Sequence, residues 1–470
     1  TTPIALPQSK RTIPMSKTLV VSISGVRGIF GAGLDPEVIV RFASAYGRWI
    51  LGQAGAKPVV VVGRDARVSG PVCMDLVMRT LQSHGIDVID AGLATTPTVE
   101  MAVIAEGASG GIVLSASHNP AEWNALKLLN EKGEFLPPAE AEAVISLSNH
   151  GAESWTTWDA IGEQGTKDYL PGHIDAVCAL DGIDPDVIAG RDFRIVVDAV
   201  NSVGGIALPA LLKRLGVRDE HIIRLHCEPT GRFAHPAEPL PQNLTEIIER
   251  VGTEKADLGL VVDPDADRLA LIADGGIYVS EELTQVLAAD FWWQRHRGPF
   301  ATNLSSSRAI EDVAARHGEK VYRSAVGEIN VVERMKEVGA TIGGEGNGGV
   351  ILPDLHYGRD ALVGTALILQ HLANTGLKLS EWVADMPVYH IVKLKTDIGE
   401  KDPEALLARM AERYAGERIS TIDGVKVDLD EGWVHMRKSN TEPIIRVYAE
   451  ASTAEAATGL GTRFMAELLS

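Results

Sequence analysis

Cysteine is scarce in this sequence: there are three in 470 residues, Cys73, Cys178 and Cys227, widely spaced and without a C-x-x-C pair. That excludes a disulfide framework and a thiolate zinc site as organising devices, and it reads as a protein of a reducing cytoplasm. Basic residues are also in deficit, 44 Lys and Arg against 63 Asp and Glu, for a formal charge of −19. Nucleic acid and anionic membranes call for clustered Lys and Arg, so neither partner is expected, and an anionic ligand would need a local basic cleft. No apolar run reaches the ~18 residues of a membrane-spanning helix. Residues 1–16 hold Pro3, Pro7 and Pro14 and no hydrophobic stretch of the signal-peptide kind, and they read as a loosely ordered extension.

What is there points to a multidomain α/β protein. A chain of this length exceeds one ordinary core, so three or four domains are expected. Apolar runs of strand length each end in a polar, glycine-containing loop: Val59 to Val62, Gly111 to Leu114, Ile195 to Val197 and Leu258 to Val262. Helical patterns lie between them, as in Glu37 to Leu51, where Val38, Phe42, Tyr46 and Trp49 share one face. Strands alternating with helices predict functional loops at strand ends. The periodicity breaks between Asn149 and Gly172, again at Asp274-Gly275-Gly276, and near Met386-Pro387. Beyond the last break, Val388 to Leu394, Val425 to Val427, Trp433 to Met436 and Ile445 to Tyr448 read as strands of a small α+β unit. The expected boundaries are 17–165, 166–275, 276–386 and 387–470.

Four loops carry chemistry. Ser117, in Ser115-Ala116-Ser117-His118-Asn119-Pro120, follows an apolar strand, and Pro120 blocks helical continuation. A serine needs a base, a metal or a positive field to act as a nucleophile, and Lys127, ten residues on, offers proton transfer or positive charge. Asp263-Pro264-Asp265-Ala266-Asp267-Arg268 sets three carboxylates at alternate positions between two strand-like runs, an oxygen donor set suited to Mg²⁺, with Arg268 to orient a phosphate. An EF-hand is excluded, because its glycine and glutamate positions hold Arg268 and Asp274. Glu345 and Asn347, the polar residues of a glycine-rich loop spanning 343–349, suit sugar hydroxyls. Arg437, Ser439, Asn440 and Thr441, with Arg446, gather cationic and hydroxyl donors into a loop suited to phosphate.

Together and in this order, these loops resemble the α-D-phosphohexomutase family, from about Ser22 to the C-terminus. The S-H-N-P pattern with its lysine, the D-x-D-x-D-R loop and the R-x-S-N-T-x-P loop are all matched, and Ser24-Gly25-Val26-Arg27-Gly28 looks like the family's first active-site loop, which brings Arg27 toward the reacting phosphate. The resemblance implies three similar α/β domains with mixed sheets around a central cleft, plus a mobile C-terminal domain. It also implies a phosphoserine at Ser117, Mg²⁺ held by Asp263, Asp265, Asp267 and Ser117, and a sugar 1,6-bisphosphate intermediate that also activates the enzyme.

Two departures matter. Asn347-Gly348-Gly349 stands where many members have S-G-H, and the 303–307 stretch lacks a lysine that some members use on the sugar. Lys127 and His118 then become the proton-transfer candidates. The E-G-N-G-G form looks most like an archaeal-type branch of phosphoglucosamine mutases and phosphomannomutase/phosphoglucomutases, which makes glucosamine phosphate the expected substrate. The competing expectations are a Mg²⁺-dependent phosphatase with Asp263 as nucleophile, or a non-catalytic sugar-phosphate-binding protein. Oligomeric state leaves no mark in the sequence.

Overall fold

A computed structural model of the chain describes residues 18–23, 25–53, 57–150, 155–439 and 444–470. The expected extension over 1–16 lies outside the described residues.

Four β-sheets follow one another along the chain. The first runs in the order Val20–Ser22, Gly25–Ile29, Trp123–Leu129, Gly110–Leu114, Val59–Arg64, Asp87–Leu93, Gln164–Thr166. Its middle is parallel and its Val20 side antiparallel, so the sheet is mixed. Central strands covered by helices on both faces must be apolar throughout, and Val60, Val61, Val62, Ile112, Val113 and Leu114 are all fully buried. The second sheet orders Ile277–Val279, Leu269–Ala273, Leu258–Val262, Ile195–Asp198, Ile222–Leu225, and the third Val321–Ser324, Phe300–Asn303, Ile342–Glu345, Gly349–Ile351. Both mix parallel and antiparallel pairs. The fourth, His390–Asp397, Ile444–Ala451, Gly432–Lys438, Val425–Asp428, Arg418–Ser420, is antiparallel throughout and carries the helices Pro403–Arg413 and Ala454–Leu469.

The break at Asp274-Gly275-Gly276 is a hairpin turn: both glycines have positive φ, and Ile277–Val279 pairs back onto Leu269–Ala273 in the second sheet. The strand expected from Val388 starts at His390 instead, since Pro387 has no N–H to pair and Val388 is exposed. One continuous apolar core runs from Ile174 to Met386 and serves the second and third sheets together. The fourth sheet has its own, from Ile398 to Leu468. Among the described residues, no helix is long and apolar enough to cross a membrane.

Candidate active site

The strand Gly110–Leu114 delivers the chain to Ser117, which adopts a left-handed conformation with φ 47. A non-glycine residue there is strained and persists only where its surroundings hold it. The holder is Arg67, fully buried at the end of the neighbouring strand's loop. Its Nη2 donates to the carbonyls of Ser117 (2.6 Å) and Asn119 (2.8 Å), and Nη1 to that of Trp123 (3.0 Å) and to Pro120. Asp65 fixes Arg67 through Nε at 2.9 Å and also accepts from Ser115 Oγ at 2.7 Å, while Ser115 Oγ takes the Ser117 amide at 3.0 Å. Burial comes first in raising the Asp65 carboxyl above its usual range, opposed by Arg67. Sequence reasoning missed Asp65 and Arg67. The one local signal was a charged pair just after a strand of four valines.

Ser117 Oγ donates to Asp263 Oδ2 at 2.7 Å, joining the first unit to the aspartate loop of the second. All three aspartates are fully buried, and one oxygen from each lies within 4.8 Å of the others. Asp265 Oδ2 accepts from Lys127 Nζ at 2.6 Å and from Thr96 Oγ1 at 2.5 Å, and Asp267 Oδ2 from Arg359 Nη2 at 2.7 Å. Arg268 Nε lies 3.9 Å from Asp263 and 3.8 Å from Asp267. Burial would raise Asp267, but Arg359, Lys127 and Arg268 overcome it and hold the carboxyl below its ordinary range. Asp263 goes the other way, driven well up by burial and then by Asp267 and Asp265. Among the described residues, the Oδ1 atoms of Asp265 and Asp267 are buried with no hydrogen-bond partner. Unpartnered carboxylate oxygens in a buried cluster of three aspartates fit a hard divalent cation.

The glycine-rich run expected as a loop is a hairpin between Ile342–Glu345 and Gly349–Ile351. Glycine permits the close packing: a Cβ on Gly346 would stand 1.8 Å from Glu282 Oε2, and one on Gly348, at φ 88, 2.4 Å from the Leu269 carbonyl. Both oxygens of Glu345 are engaged. Oε1 accepts from Asn303 (2.8 Å) and the Gly327 amide (3.2 Å), and Oε2 from Arg359 (2.8 Å) and Asn347 (3.3 Å). Arg359 therefore bridges the aspartate loop and the glycine-rich hairpin, with Glu328 3.3 Å from its Nε. Sequence reasoning missed Arg359, Glu328 and Thr96, whose partners are all distant in the chain.

A cavity of about 240 Å³ opens over these groups and is lined by Arg27, Ser117, His118, Lys127, Arg268, Glu328, Glu345, Asn347 and Arg359, among others. Asp263, Asp265 and Asp267 lie behind the lining rather than in it. Arg268 first, then burial, holds His118 well below the usual histidine range, and among the described residues its Nδ1 has no partner. Burial would discharge Lys127, but Asp265 and Asp267 raise it above the ordinary lysine value. Burial and then Arg268 lower Arg27, which sits on the strand Gly25–Ile29 rather than in a loop.

The C-terminal candidates lie apart from this cavity's lining. Arg437, expected in a loop, lies near the end of the strand Gly432–Lys438 instead and faces Arg446, which lies on the neighbouring strand as the run Ile445 to Tyr448 predicts. Arg437 Nε is 3.3 Å from Asp423, and the Ser439 amide donates to the Ile444 carbonyl at 3.0 Å. Asn440 and Thr441 lie outside the described residues, as does Ser24.

A serine hydroxyl resting on a buried aspartate triad, beneath a cavity with four cationic side chains, defines an enzyme equipped for metal-assisted phosphoryl transfer on an α/β frame. Comparison with known proteins specifies the family. The phosphoglucomutase/phosphomannomutase models match in order: α/β/α domain I over residues 19–154, domain II over 171–276, domain III over 280–389 and the C-terminal domain over 392–467. The chain belongs to this phosphoglucomutase/phosphomannomutase family. It is 38% identical over 457 residues to a phosphoglucomutase/phosphomannomutase of Thermococcus kodakarensis, covering 95% of this chain and 98% of the relative. It is 34% identical to a probable phosphoglucosamine mutase of Methanopyrus kandleri, covering 94% and 96%. A solved structure of a putative phosphomannomutase from Thermus thermophilus superposes with a TM-score of 0.82 at 26% identity, over 96% of this chain and all of that one.

Proposed function

We propose that this protein is a phosphohexomutase that interconverts hexose 1-phosphate and hexose 6-phosphate through a phosphoserine at Ser117 and a sugar bisphosphate. The observation that carries the reading is the position of Ser117: its loop is locked by Arg67, it lines the cavity, and its hydroxyl rests 2.7 Å from Asp263. In the first half-reaction a sugar hydroxyl oxygen attacks phosphorus, the P–O bond to Ser117 Oγ breaks, and the hydroxyl proton leaves. The second half runs in reverse, with the sugar's other phosphate returning to Ser117. His118, which lines the cavity and whose Nδ1 has no partner among the described residues, suits the proton transfer. Lys127, held as an ammonium by Asp265 and Asp267, suits stabilisation of the transferring group's charge. Mg²⁺ held by Asp263, Asp265, Asp267 and the phosphorylated Ser117 would neutralise charge on the moving phosphoryl group. Arg27 and Arg268 orient that phosphate, and Glu345 and Asn347 face the sugar.

Arg437, Ser439, Asn440, Thr441 and Arg446 grip the phosphate that is not reacting. Closure of their unit over the cavity keeps out the water that would hydrolyse the phosphoserine. Glucosamine phosphate is the substrate we favour, with mannose and glucose phosphates as alternatives, in a cytoplasmic enzyme. A panel of the three 1-phosphates compared by kcat/KM decides among them.

Mass spectrometry after incubation with glucose 1,6-bisphosphate tests the mechanism, with phosphate expected on Ser117. A phosphatase acting through Asp263 would carry it there instead, but Asp263 is sealed behind the serine and does not line the cavity. A binding protein without catalysis would hold glucose 6-phosphate and yield no 1-phosphate in a ³¹P spectrum. Enzyme stripped of its phosphate is expected to need the bisphosphate to begin turnover.

A further inference from the structure

A second polar cluster lies buried near the aspartate loop, and none of its members lines the cavity. Glu100 comes from the helix Thr96–Glu106, His173 from the helix Leu170–Cys178, and His356 and Asp360 from the segment before the helix Ala361–Thr375. Each of the three α/β units therefore contributes, and all four side chains are buried. Asp360 Oδ2 meets His173 Nε2 at 2.9 Å and His356 Nε2 at 3.4 Å. His356 Nδ1 lies 3.2 Å from Glu100 Oε2, and His173 Nδ1 2.9 Å from Thr98 Oγ1. Buried carboxylates persist only with partners of opposite charge. Burial would discharge His356, but Asp360 and Glu100 push it up to about 10, so the ring stays charged between them. The fit is tight: a Cβ on Gly358 would stand 1.9 Å from Glu100 Oε2.

The cluster's neighbours along the chain give it a role. Asp360 directly follows Arg359, which grips Asp267. Thr98 and Glu100 share a helix with Thr96, whose hydroxyl and amide bind the Asp265 carboxylate and carbonyl. Asp360 Oδ1 also caps its own helix by accepting from the Leu362 amide at 2.8 Å. Thr96 and Arg359, which hold Asp265 and Asp267 alongside Lys127, are thus anchored from behind by the elements that carry these four side chains. Such outer partners typically set metal affinity by 10- to 100-fold. We propose that Glu100, His173, His356 and Asp360 form a positioning device between the three α/β units that sets Asp265 and Asp267 for their cation by fixing Thr96 and Arg359, a role that rests on reading the aspartate loop as a cation site.

Mn²⁺ alone, titrated calorimetrically into the full chain, provides a test independent of turnover. Absence of Mn²⁺ binding by the parent protein would remove the cation-site reading, and this proposal with it. Where the parent binds, His356→Gln leaves Glu100 without its cation and Asp360 with His173 alone, and is expected to weaken Mn²⁺ binding about tenfold or more. Thr98→Val, which removes the contacts to His173 and to Thr95 Oγ1, should weaken it less and is the milder variant should His356→Gln not fold. Adding Glu100→Gln to His356→Gln deletes one charge of each sign and should restore part of the loss. Unchanged Mn²⁺ affinity in folded variants, whatever their melting temperature, overturns the proposal. So does one equivalent of a transition metal retained by a chain with Asp263, Asp265 and Asp267 all changed to Asn, because the cluster would then be a metal site itself.

Discussion

The reacting end and the anchoring end of this molecule are built on opposite principles. Around Ser117 and the aspartates, charged side chains are buried and each has a fixed partner, often from another unit: Ser117 to Asp263, Lys127 to Asp265, Arg359 to Asp267. Around Arg437 the cations are half-buried or exposed on a sheet with its own core. That unit meets the third through polar contacts: Asp423 to the Val326 amide (3.0 Å), His435 to Ser305 (2.8 Å), and Glu450 to the Arg308 amide (3.0 Å). The difference teaches where rigidity is required. Phosphoryl transfer is governed by placement, so the reacting groups are fixed in advance, whereas the closure proposed for the last unit would call for contacts that can be exchanged.

Breaking the reacting end should cost most. Ser117→Ala is expected to lower turnover by at least ~10⁴-fold, the scale of removing a nucleophile, and to abolish the phosphopeptide in mass spectrometry. The fold should survive, since the change removes one hydroxyl. Next in size is Arg67→Met, which leaves Asp65 buried without its cation and strips four carbonyls of their donor. A loss of about 3–5 kcal/mol is expected in urea unfolding, together with a fall in kcat as the serine loop relaxes. An equal loss of stability with kcat intact would show that the left-handed serine does not depend on Arg67.

The anchoring end should respond differently. Arg437→Met is expected to raise KM roughly ten- to a hundredfold, the worth of one or two charged hydrogen bonds to phosphate, with a smaller effect on kcat. Stability should shift by no more than about 1 kcal/mol, because the Asp423 pair is partly solvated. A kcat loss as large as that of the reacting-end variants would erase the contrast between the two regions.

How legible each end was follows from the range of its interactions. Ser117 and the three aspartates were readable because a strand end and a repeating acidic spacing are local features. Arg67 and Arg359 were not, although they organise the site, because an arginine's worth lies in partners that only the fold brings near: Arg67 bonds to carbonyls some 50 residues on, and Arg359 to Asp267, 92 residues away. The glycines of 343–349 read as a loop because glycine usually marks one; here they let two strands and Glu282 pack without side chains between them. Arg437 read as a loop residue because the apolar run that marked its strand ended at Met436. The order of α/β units and the α+β character of the last were legible throughout, since period-two and period-3.6 patterns survive without tertiary information.

A pH-dependent effect is expected where the two regions touch. Glu282 sits under Gly346, accepts from the Ser307 amide at 3.0 Å, and faces Lys393 of the C-terminal unit at 3.8 Å. Burial pushes its carboxyl up to about 8, with Lys393 opposing. An acid whose pKa is higher folded than unfolded binds its proton more tightly in the native state. Its contribution to stability is therefore full below the unfolded value near 4.3 and falls as pH rises toward 8. Glu282→Gln removes that dependence. Relative to the parent, the variant should gain stability between pH 5 and 8 by at most about 1.4 kcal/mol per pH unit, read from urea midpoints across that range. A gap independent of pH would mean that Lys393 keeps Glu282 ionised, making the contact between the two regions a true ion pair. A gap that widens with pH would make this contact a neutral one rather than an ion pair.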